Sequence, residues 1–508
     1  MRRDPFRLRE RTFDLLVVGA GIQGACIAWD ACLRGLSVAV IDRADFGGGT
    51  SANSLGIVHG GLRYLARGDF ARMRESIRER SGLLRVAPGL VEPLPVLIPT
   101  YSGVTKGRAG LRAALLANDL VSRGRNRGLD SAHTLPGGRL VSREDCLSLF
   151  PWFVKRGLSG GALWYDGRLR HPERLVLSFV LSAAERGAVA VNYLRMDRLL
   201  VQNGATRGAR VTDLEGGSEL EVRARSVVVS AGPWTSGLIA GTLGKAHELP
   251  GSGRALAINV RVARTLSSVA IGTQSRNGPD EDPVCGGGRY LFAAPQLGNT
   301  TSLGTWYSPA TERHATPGAG VATLIREFNA ACPGLELTAE DVSGYQCGWL
   351  PLKAGRERGR ATALAERPRV TDHATNDGIR HLLSVEAVKY TTARGVAQGV
   401  VDWVFRDQGR RAPPCRTLEV TLEEAGTAGV PTSSDVHRAV HQEMARTLGD
   451  IVFRRSGLGA SGRLDRSAVV EVARVAGTEF GWDTVHQDVQ IQEVLRQVGH
   501  PLPAVEPV

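Results

Sequence analysis

A chain of 508 residues that is 42% hydrophobic and 22% charged is long enough to bury a large core in two or three domains, and too apolar to be disordered. Its seven cysteines show no C-x-x-C spacing, no apolar run approaches about 18 residues, and the basic Met1-Arg2-Arg3 start opens onto a strand. Neither a disulfide framework, a zinc site, a membrane span nor secretion is therefore expected, and a reducing, cytoplasmic setting is. The net charge of +12 rests on dispersed arginines, with only five lysines among 63 basic residues, and no basic cluster carries interleaved aromatics, so no nucleic-acid partner is expected.

Taken in chain order, the first predicted elements are the most informative. Leu15-Leu16-Val17-Val18 is an apolar run of buried-strand type, and it leads at once into Gly19-Ala20-Gly21-Ile22-Gln23-Gly24, a G-x-G-x-x-G spacing. Gly19 permits a tight turn out of the strand, Gly21 lets backbone N–H groups approach a pyrophosphate, and Gly24 lets the next helix pack close to the sheet. That helix is predicted from about Ile22 to Arg34 and ends at Gly35, after which Ser37 to Ile41 forms a second strand delivering Asp42 at its end. A carboxylate 18 residues beyond Gly24 suits a ribose 2′-hydroxyl and repels a 2′-phosphate, which disfavours NADP. With a helix N-terminus facing the anion, the unit reads as a dinucleotide site.

Next come Phe46-Gly47-Gly48-Gly49-Thr50-Ser51-Ala52-Asn53-Ser54-Leu55-Gly56 and His59-Gly60-Gly61-Leu62-Arg63-Tyr64-Leu65. This stretch resembles the FAD-dependent glycerol-3-phosphate dehydrogenases, whose His-Gly-Gly-Leu-Arg-Tyr-Leu segment is matched residue for residue. The loop chemistry also stands alone, since small residues let amides and hydroxyls surround a pyrophosphate and a flavin ring. The resemblance implies FAD held by Ile22, Gln23, Asp42, Arg43, Thr50, Ser51, Asn53, Ser54 and Gly56, and non-covalently, as no cysteine tether is evident. It further implies a small-molecule substrate, expected to be anionic, and quinone or O2 as electron acceptor.

Phe70 to Ala87 is predicted as an amphipathic helix, with Pro88, Pro93, Pro95 and Pro99 punctuating its exit. Thr100 to Ser142 is Gly/Arg-rich and reads as a variable, mobile cap. Pro172-Glu173-Arg174-Leu175 opens a long helix, and the strand from Val189 ends near Met196, which in the resembling enzymes meets adenine through backbone atoms. Val227-Val228-Val229-Ser230-Ala231-Gly232-Pro233-Trp234 is a second dinucleotide signature, placing Ala231, Gly232 and Trp234 under the cofactor. Ala257 to Val262, Tyr290 to Ala293 and Ser302 to Trp306 are predicted strands of an antiparallel sheet. Leu382 to Glu386 then returns the chain to the flavin, where Lys389, Thr391, Thr392 and Arg394 match the family's Gly-Gly-Lys-Leu-Thr-Thr-Tyr-Arg with Ala387 and Val388 in place of both glycines, and Lys389, Tyr390 and Thr391 are expected at the cofactor.

After a linker at Pro413-Pro414, helices are predicted over Ser434 to Leu448 and Ser467 to Phe480. The expected fold is α/β plus α+β: a Rossmann-type FAD domain (1–99, 143–245 and 345–410), a cap insert (100–142), an antiparallel substrate domain (246–344) and a C-terminal helical domain (411–508). Because every dinucleotide signature precedes Pro413, the tail is expected to be dispensable for FAD. Arg454-Arg455 and Arg123-Gly-Arg-Asn-Arg127 are candidates for peripheral membrane contact, against the default of a solvated charged face.

For the chemistry, Lys389 is the leading catalytic candidate, as a cation beside the ring stabilises a reduced, anionic flavin and attracts an anionic substrate. Arg63 and Tyr64 match residues that hold phosphate in the family, with a structural role for Arg63 as the alternative, and His59 joins them with backbone hydrogen bonding as its alternative. His171, His373, Tyr165 and Tyr345 are further titratable residues. Three family features are missing. Leu350 stands where Gly-x-Arg-Pro-Leu has its Arg, Ala255-Leu256-Ala257 lacks the His of Gly-Ser-His, and Thr371 replaces the Arg of Ser-Arg-Asp-His, unless Arg356, Arg358 or Arg369 fills the role. Asn53 to His59 is also similar to the hydroxy-acid oxidases of the same superfamily. The expectation is a flavoenzyme oxidising a CH–OH or CH–NH group with altered specificity. A quinone-linked glycerol-3-phosphate dehydrogenase, or a flavin-binding scaffold without turnover, is the alternative.

Overall fold

The computed structural model describes residues 1–65, 67–102, 108–244, 253–278, 281–282, 284–310, 316–353, 363–426, 429–462 and 464–497. Among these, two large sheets organise the chain. In the first, the strand Phe13–Val18 lies between Val38–Ile41 and Glu219–Val229, parallel to both. Leu382–Glu386 extends it in parallel on one side and Val189–Val191 on the other. Parallel strands covered on both faces must be apolar throughout, and all four residues of Val38–Ile41 are buried. The helix Ile22–Leu33 supplies one cover, packed between Pro172–Glu185 and Ala393–Asp407.

Glu219–Val229 changes character along its length. Its first half alternates between exposed and buried and pairs antiparallel with Ala205–Asp213, while its last four residues are all buried in the parallel layer. The same strand is thus an amphipathic hairpin arm and a core strand, as its polar alternation followed by Val227-Val228-Val229 dictates.

The second sheet is mostly antiparallel. Val91–Tyr101 pairs along its whole length with Leu158–Leu169, so Pro93, Pro95 and Pro99 lie inside a strand and not in the exit loop the prolines suggested. Their even spacing puts all three missing N–H donors on the same side of a strand that has partners on both sides. Arg254–Val262 is flanked by Thr300–Pro309 and Val342–Pro351, and the helix Pro317–Ala331 packs against these strands. Ala270–Gln274 is a further strand that the sequence reading passed over, and it joins Tyr290–Gln296 to Val91–Tyr101. Within 100–142, the stretch expected as a cap, the chain forms the helix Arg108–Val121 and a network in which Arg125 binds Asp119 and the Leu135 carbonyl.

The tail departs most from expectation. The helix predicted through Leu448 stops at His441, Met444 adopts φ +60°, and Thr447 opens a new helix whose Asp450 bonds back to the Thr447 N–H, a reciprocal cap. Leu422, Ala425 and Met444 belong to the same buried cluster as Leu15, Val17 and Ala25, so the tail completes the core and is no appendage. Arg455 is buried and Arg454 half-buried, and both bind Asp45, with Arg455 Nη2 donating to Oδ1 at 2.8 Å. Of the basic stretches proposed for membrane contact, only Arg123 and Arg127 are exposed. No helix among the described residues is long and apolar enough to cross a membrane.

Candidate active site

At the end of Phe13–Val18 the chain turns so tightly that side chains are excluded. Gly19 has φ +95°, and a Cβ there would meet Ala231 Cα and Ser230 O at 2.7 Å. A Cβ on Gly24 would sit 1.8 Å from Gly19 O, so the helix could not approach the strand. Gly21 caps this helix with no side-chain hydrogen bond, and Ser51 Oγ accepts from the Ile22 N–H at 3.0 Å. The helix end thereby faces a cavity of about 930 Å³.

Of the residues expected to hold FAD, all but Gly24, Gly56 and Thr391 line this cavity. Arg43 stacks on Trp234 at 4.8 Å, forming one end of it with Met196. Asp42 lines it too, but its oxygens already accept from Ala20 N at 2.7 Å and Ala44 N at 3.0 Å. It therefore pins the glycine turn as well as offering its remaining lone pairs to a ligand. Burial pushes its carboxyl up to about 6, with those two amides pulling the other way. Gln23 Oε1 is buried with no hydrogen-bond partner beside the cavity, an acceptor left over for a bound group. Cavity size, glycine cradle, open helix end and orphan acceptor all fit FAD.

The opposite wall comes from the second sheet. Ala257 and Asn259 on one strand, Thr305 and Tyr307 on its neighbour, and Gly348 to Pro351 on the next face the cavity. Thr305 Oγ1 donates to Asn259 Oδ1 at 2.7 Å, and Asn259 Nδ2 reaches Asn53 O at 3.3 Å, tying this wall to the cofactor loop. Asn259, Thr305, Tyr307 and Arg254 were missed in sequence. The i, i+2 spacing of 257 and 259, and of 305 and 307, is the signal that could have found their common face.

Lys389 lines the cavity, whereas Arg63, Tyr64 and His59 do not. Lys389 Nζ donates to Tyr64 Oη, and Arg63 Nη2 donates to the same oxygen at 3.1 Å. Burial raises the Tyr64 phenol, but Arg63 and Lys389 outweigh it and hold the group below its usual value. Burial, then Arg63, Lys389 and Arg80, pushes His59 down to about 3, so its imidazole is neutral. Its Nδ1 has no hydrogen-bond partner. Arg80, not singled out in sequence, explains Gly60: a Cβ there would lie 2.1 Å from Arg80 Nη1, which binds Asp166 and the Tyr165 carbonyl.

Leu350 and Ala257 are on the cavity wall, whereas Thr371 lies on the edge strand Arg369–Asp372 and does not line it. Arg369 pairs with Glu386 at 2.9 Å, and Arg356 and Arg358 lie outside the described residues. His373 is a satisfied core histidine, with Nδ1 on Asp377 at 2.6 Å and Nε2 on Ser384 Oγ at 2.9 Å. Arg394 is structural, bound to Glu79 and Thr417. His171 and Tyr345 line a separate, smaller cavity of about 130 Å³, and Tyr165 packs against the first core.

Comparison with known proteins agrees with this geometry. Residues 14–403 match the family described as FAD dependent oxidoreductase. A glycerol-3-phosphate dehydrogenase of Mycobacterium bovis is 30% identical, covering 91% of this chain and 94% of its own length. One from Synechocystis is 29% identical over 97% of both. The crystal structure of the Bacillus halodurans glycerol-3-phosphate dehydrogenase complexed with FAD superposes with a TM-score of 0.72, covering 99% of this chain and 98% of that one at 21% identity. The chain therefore belongs to the FAD-dependent oxidoreductases, in the group of the glycerol-3-phosphate dehydrogenases.

Proposed function

We propose that this FAD-dependent oxidoreductase oxidises a CH–OH or CH–NH carbon of a small anionic metabolite other than glycerol 3-phosphate. FAD, when bound, accepts the hydride. Gly19 to Gln23, Asp42 and the Thr50 to Ser54 loop hold the cofactor, and Trp234 with Arg43 closes one end. Lys389 draws the anionic substrate to the wall and balances negative charge developing there. Tyr64 and Arg63 act on Lys389 from behind by fixing where its ammonium points. His59, neutral at working pH, packs edge-on against Tyr64. Quinone or O2 takes the electrons, and for a membrane quinone Arg123 and Arg127 supply the exposed basic surface.

The observation that carries this reading is the wall itself. Leu350 and Ala257 line the cavity where the family pattern has Arg and His, leaving Trp349, Leu350 and Tyr307 as a more apolar boundary. A phosphate held bidentately by arginine gains charge-assisted bonds that leucine cannot make, and Lys389 is a point charge without that geometry. Losing about 3–4 kcal/mol of transition-state binding lowers the rate by roughly 10²–10³. The second reading, glycerol 3-phosphate as substrate, draws on the names of the relatives and on the retained Arg63, Tyr64 and Lys389.

Steady-state assay with an artificial acceptor separates the two. Glycerol 3-phosphate is expected to give a kcat/KM well below the roughly 10⁴ M⁻¹s⁻¹ of ordinary enzyme–substrate pairs. Anaerobic flavin bleaching across phosphorylated and unphosphorylated hydroxy and amino acids then finds the better substrate. A value at or above that threshold with glycerol 3-phosphate overturns the first reading, and absence of bleaching by any compound favours a scaffold without turnover.

A further inference from the structure

The tail carries a cluster of ligating side chains remote from the flavin cavity. His437 and His441 are four residues apart on the helix Ser433–His441, and so point from the same face. Their ring centroids are 4.4 Å apart. Glu479, on the neighbouring helix Arg466–Phe480, meets both: its Oε2 is 2.8 Å from His441 Nε2 and 3.2 Å from His437 Nδ1. The three ligating atoms lie within 4.8 Å of one another, the one such grouping of His, Cys, Asp and Glu among the described residues.

Two further features favour a cation here. His441 and Glu479 both sit in the last turns of their helices, where unpaired carbonyls concentrate partial negative charge. The basic neighbour is occupied elsewhere, because Arg438 is bound to Asp435 and Glu443. Burial of Val436 and Ala439 on one side, and of Val472, Ala473 and Ala476 on the other, fixes the two helices together, so the ligands are held in place.

We propose that His437, His441 and Glu479 form a surface site for a divalent first-row transition metal that clamps these two helices. Two imidazoles and a carboxylate suit zinc, nickel or copper, and two nitrogens leave too few oxygens for calcium or magnesium. The remaining positions are open to water, and the metal lies outside the oxidative chemistry.

The test uses the full-length flavoprotein with any affinity tag removed. Titration calorimetry with zinc chloride is expected to show one site per chain, absent with magnesium or calcium, and weaker at mildly acid pH as protons compete for the ligands. Cobalt(II) is expected to give a visible d–d band on binding. His437→Ala, His441→Ala and Glu479→Gln should each weaken zinc at least about tenfold, the smaller loss known for outer-shell changes alone. The double histidine variant should abolish binding and the zinc-dependent rise in melting temperature. His486→Ala, whose ring stacks on Trp482 outside the cluster, should bind like the parent. All three ligands are at least partly exposed, so flavin content and circular dichroism should be unchanged in every variant. Lack of zinc binding by the parent, or undiminished binding by the double variant, overturns the proposal.

Discussion

Tyr64 is 2% exposed and takes hydrogen bonds from its sequence neighbour Arg63 and from Lys389, a residue 325 positions away that no local motif joins to it. Tyr64→Phe removes the common acceptor and leaves Lys389 free to swing. Hydrogen bonds to charged groups contribute about 1.5–3 kcal/mol, so kcat/KM on the best substrate should fall by roughly 10–150-fold while FAD content is kept. A variant with unchanged kinetics would remove Tyr64 from the site. His59 makes a separate prediction. Its folded pKa of about 3 lies below the usual 6.5, so the unfolded chain binds the extra proton between those values. The contribution is fully present above about pH 6.5 and drains away as pH falls toward about 3. His59→Asn should therefore flatten the acid side of the melting-temperature profile, and parallel profiles for parent and variant would contradict the half-buried, neutral imidazole. The motif pointed to His59, Arg63 and Tyr64 as residues, but not to the fact that they back Lys389 instead of lining the cavity. Arg80 and Asp166, which pack against Gly60 beside them, are joined to it by no local pattern.

At the level of elements, long-range buried ion pairs decide how the layers meet. Asp45, just past the second strand, binds Arg454 and Arg455 from the tail, and also Asn192 Nδ2 at 3.0 Å. Burial raises its carboxyl, but the two guanidiniums outweigh this and hold it below the usual carboxylate value, so the pair stabilises above that usual value and is lost as pH falls. Asp45→Asn strands Arg455, itself fully buried, and should cost about 3–5 kcal/mol. Chemical denaturation at neutral pH would show it, and a shift under about 1 kcal/mol would mean the arginines find other partners or water. Glu79 and Arg394 do the same for the helices Phe70–Val86 and Ala393–Asp407. Element types were largely readable from hydrophobic period, since strand alternation and helical stripes are local. Their ends were less so. The break after His441 accompanies a Thr447–Asp450 cap that competes with continued helix, and the prolines of Val91–Tyr101 read as turn signals although the strand pairs along its whole length with Leu158–Leu169.

For the whole molecule, the tail and the flavin half share one core. Leu422, Ala425 and Met444 pack with Leu15, Val17 and Ile27, and the Arg174 Nε donates to Ala425 O at 2.7 Å. A chain ending at Pro413 would expose this surface and leave Asp45 buried without its cations. It is therefore expected to be aggregated or flavin-free, in contrast to the independence that the position of the dinucleotide signatures suggests. Size-exclusion chromatography with absorbance at flavin wavelengths decides it, and a monodisperse yellow fragment would show that the core closes without the tail.

The sequence by itself determined the strands Phe13–Val18 and Val38–Ile41 and the tight turn at Gly19 between strand and helix, because glycine at a positive φ and apolar runs are constraints each residue carries with it. It also determined that Leu350 departs from the family pattern. Tertiary structure alone decided that the second sheet supplies the far wall, that Asp42 holds the glycine turn, and that Arg454 and Arg455 are partners of Asp45, the first half-buried and the second buried. The physical reason is range: backbone preference and hydrophobic period act over a few residues, whereas pairing of charges about 410 positions apart exists only after the layers have packed.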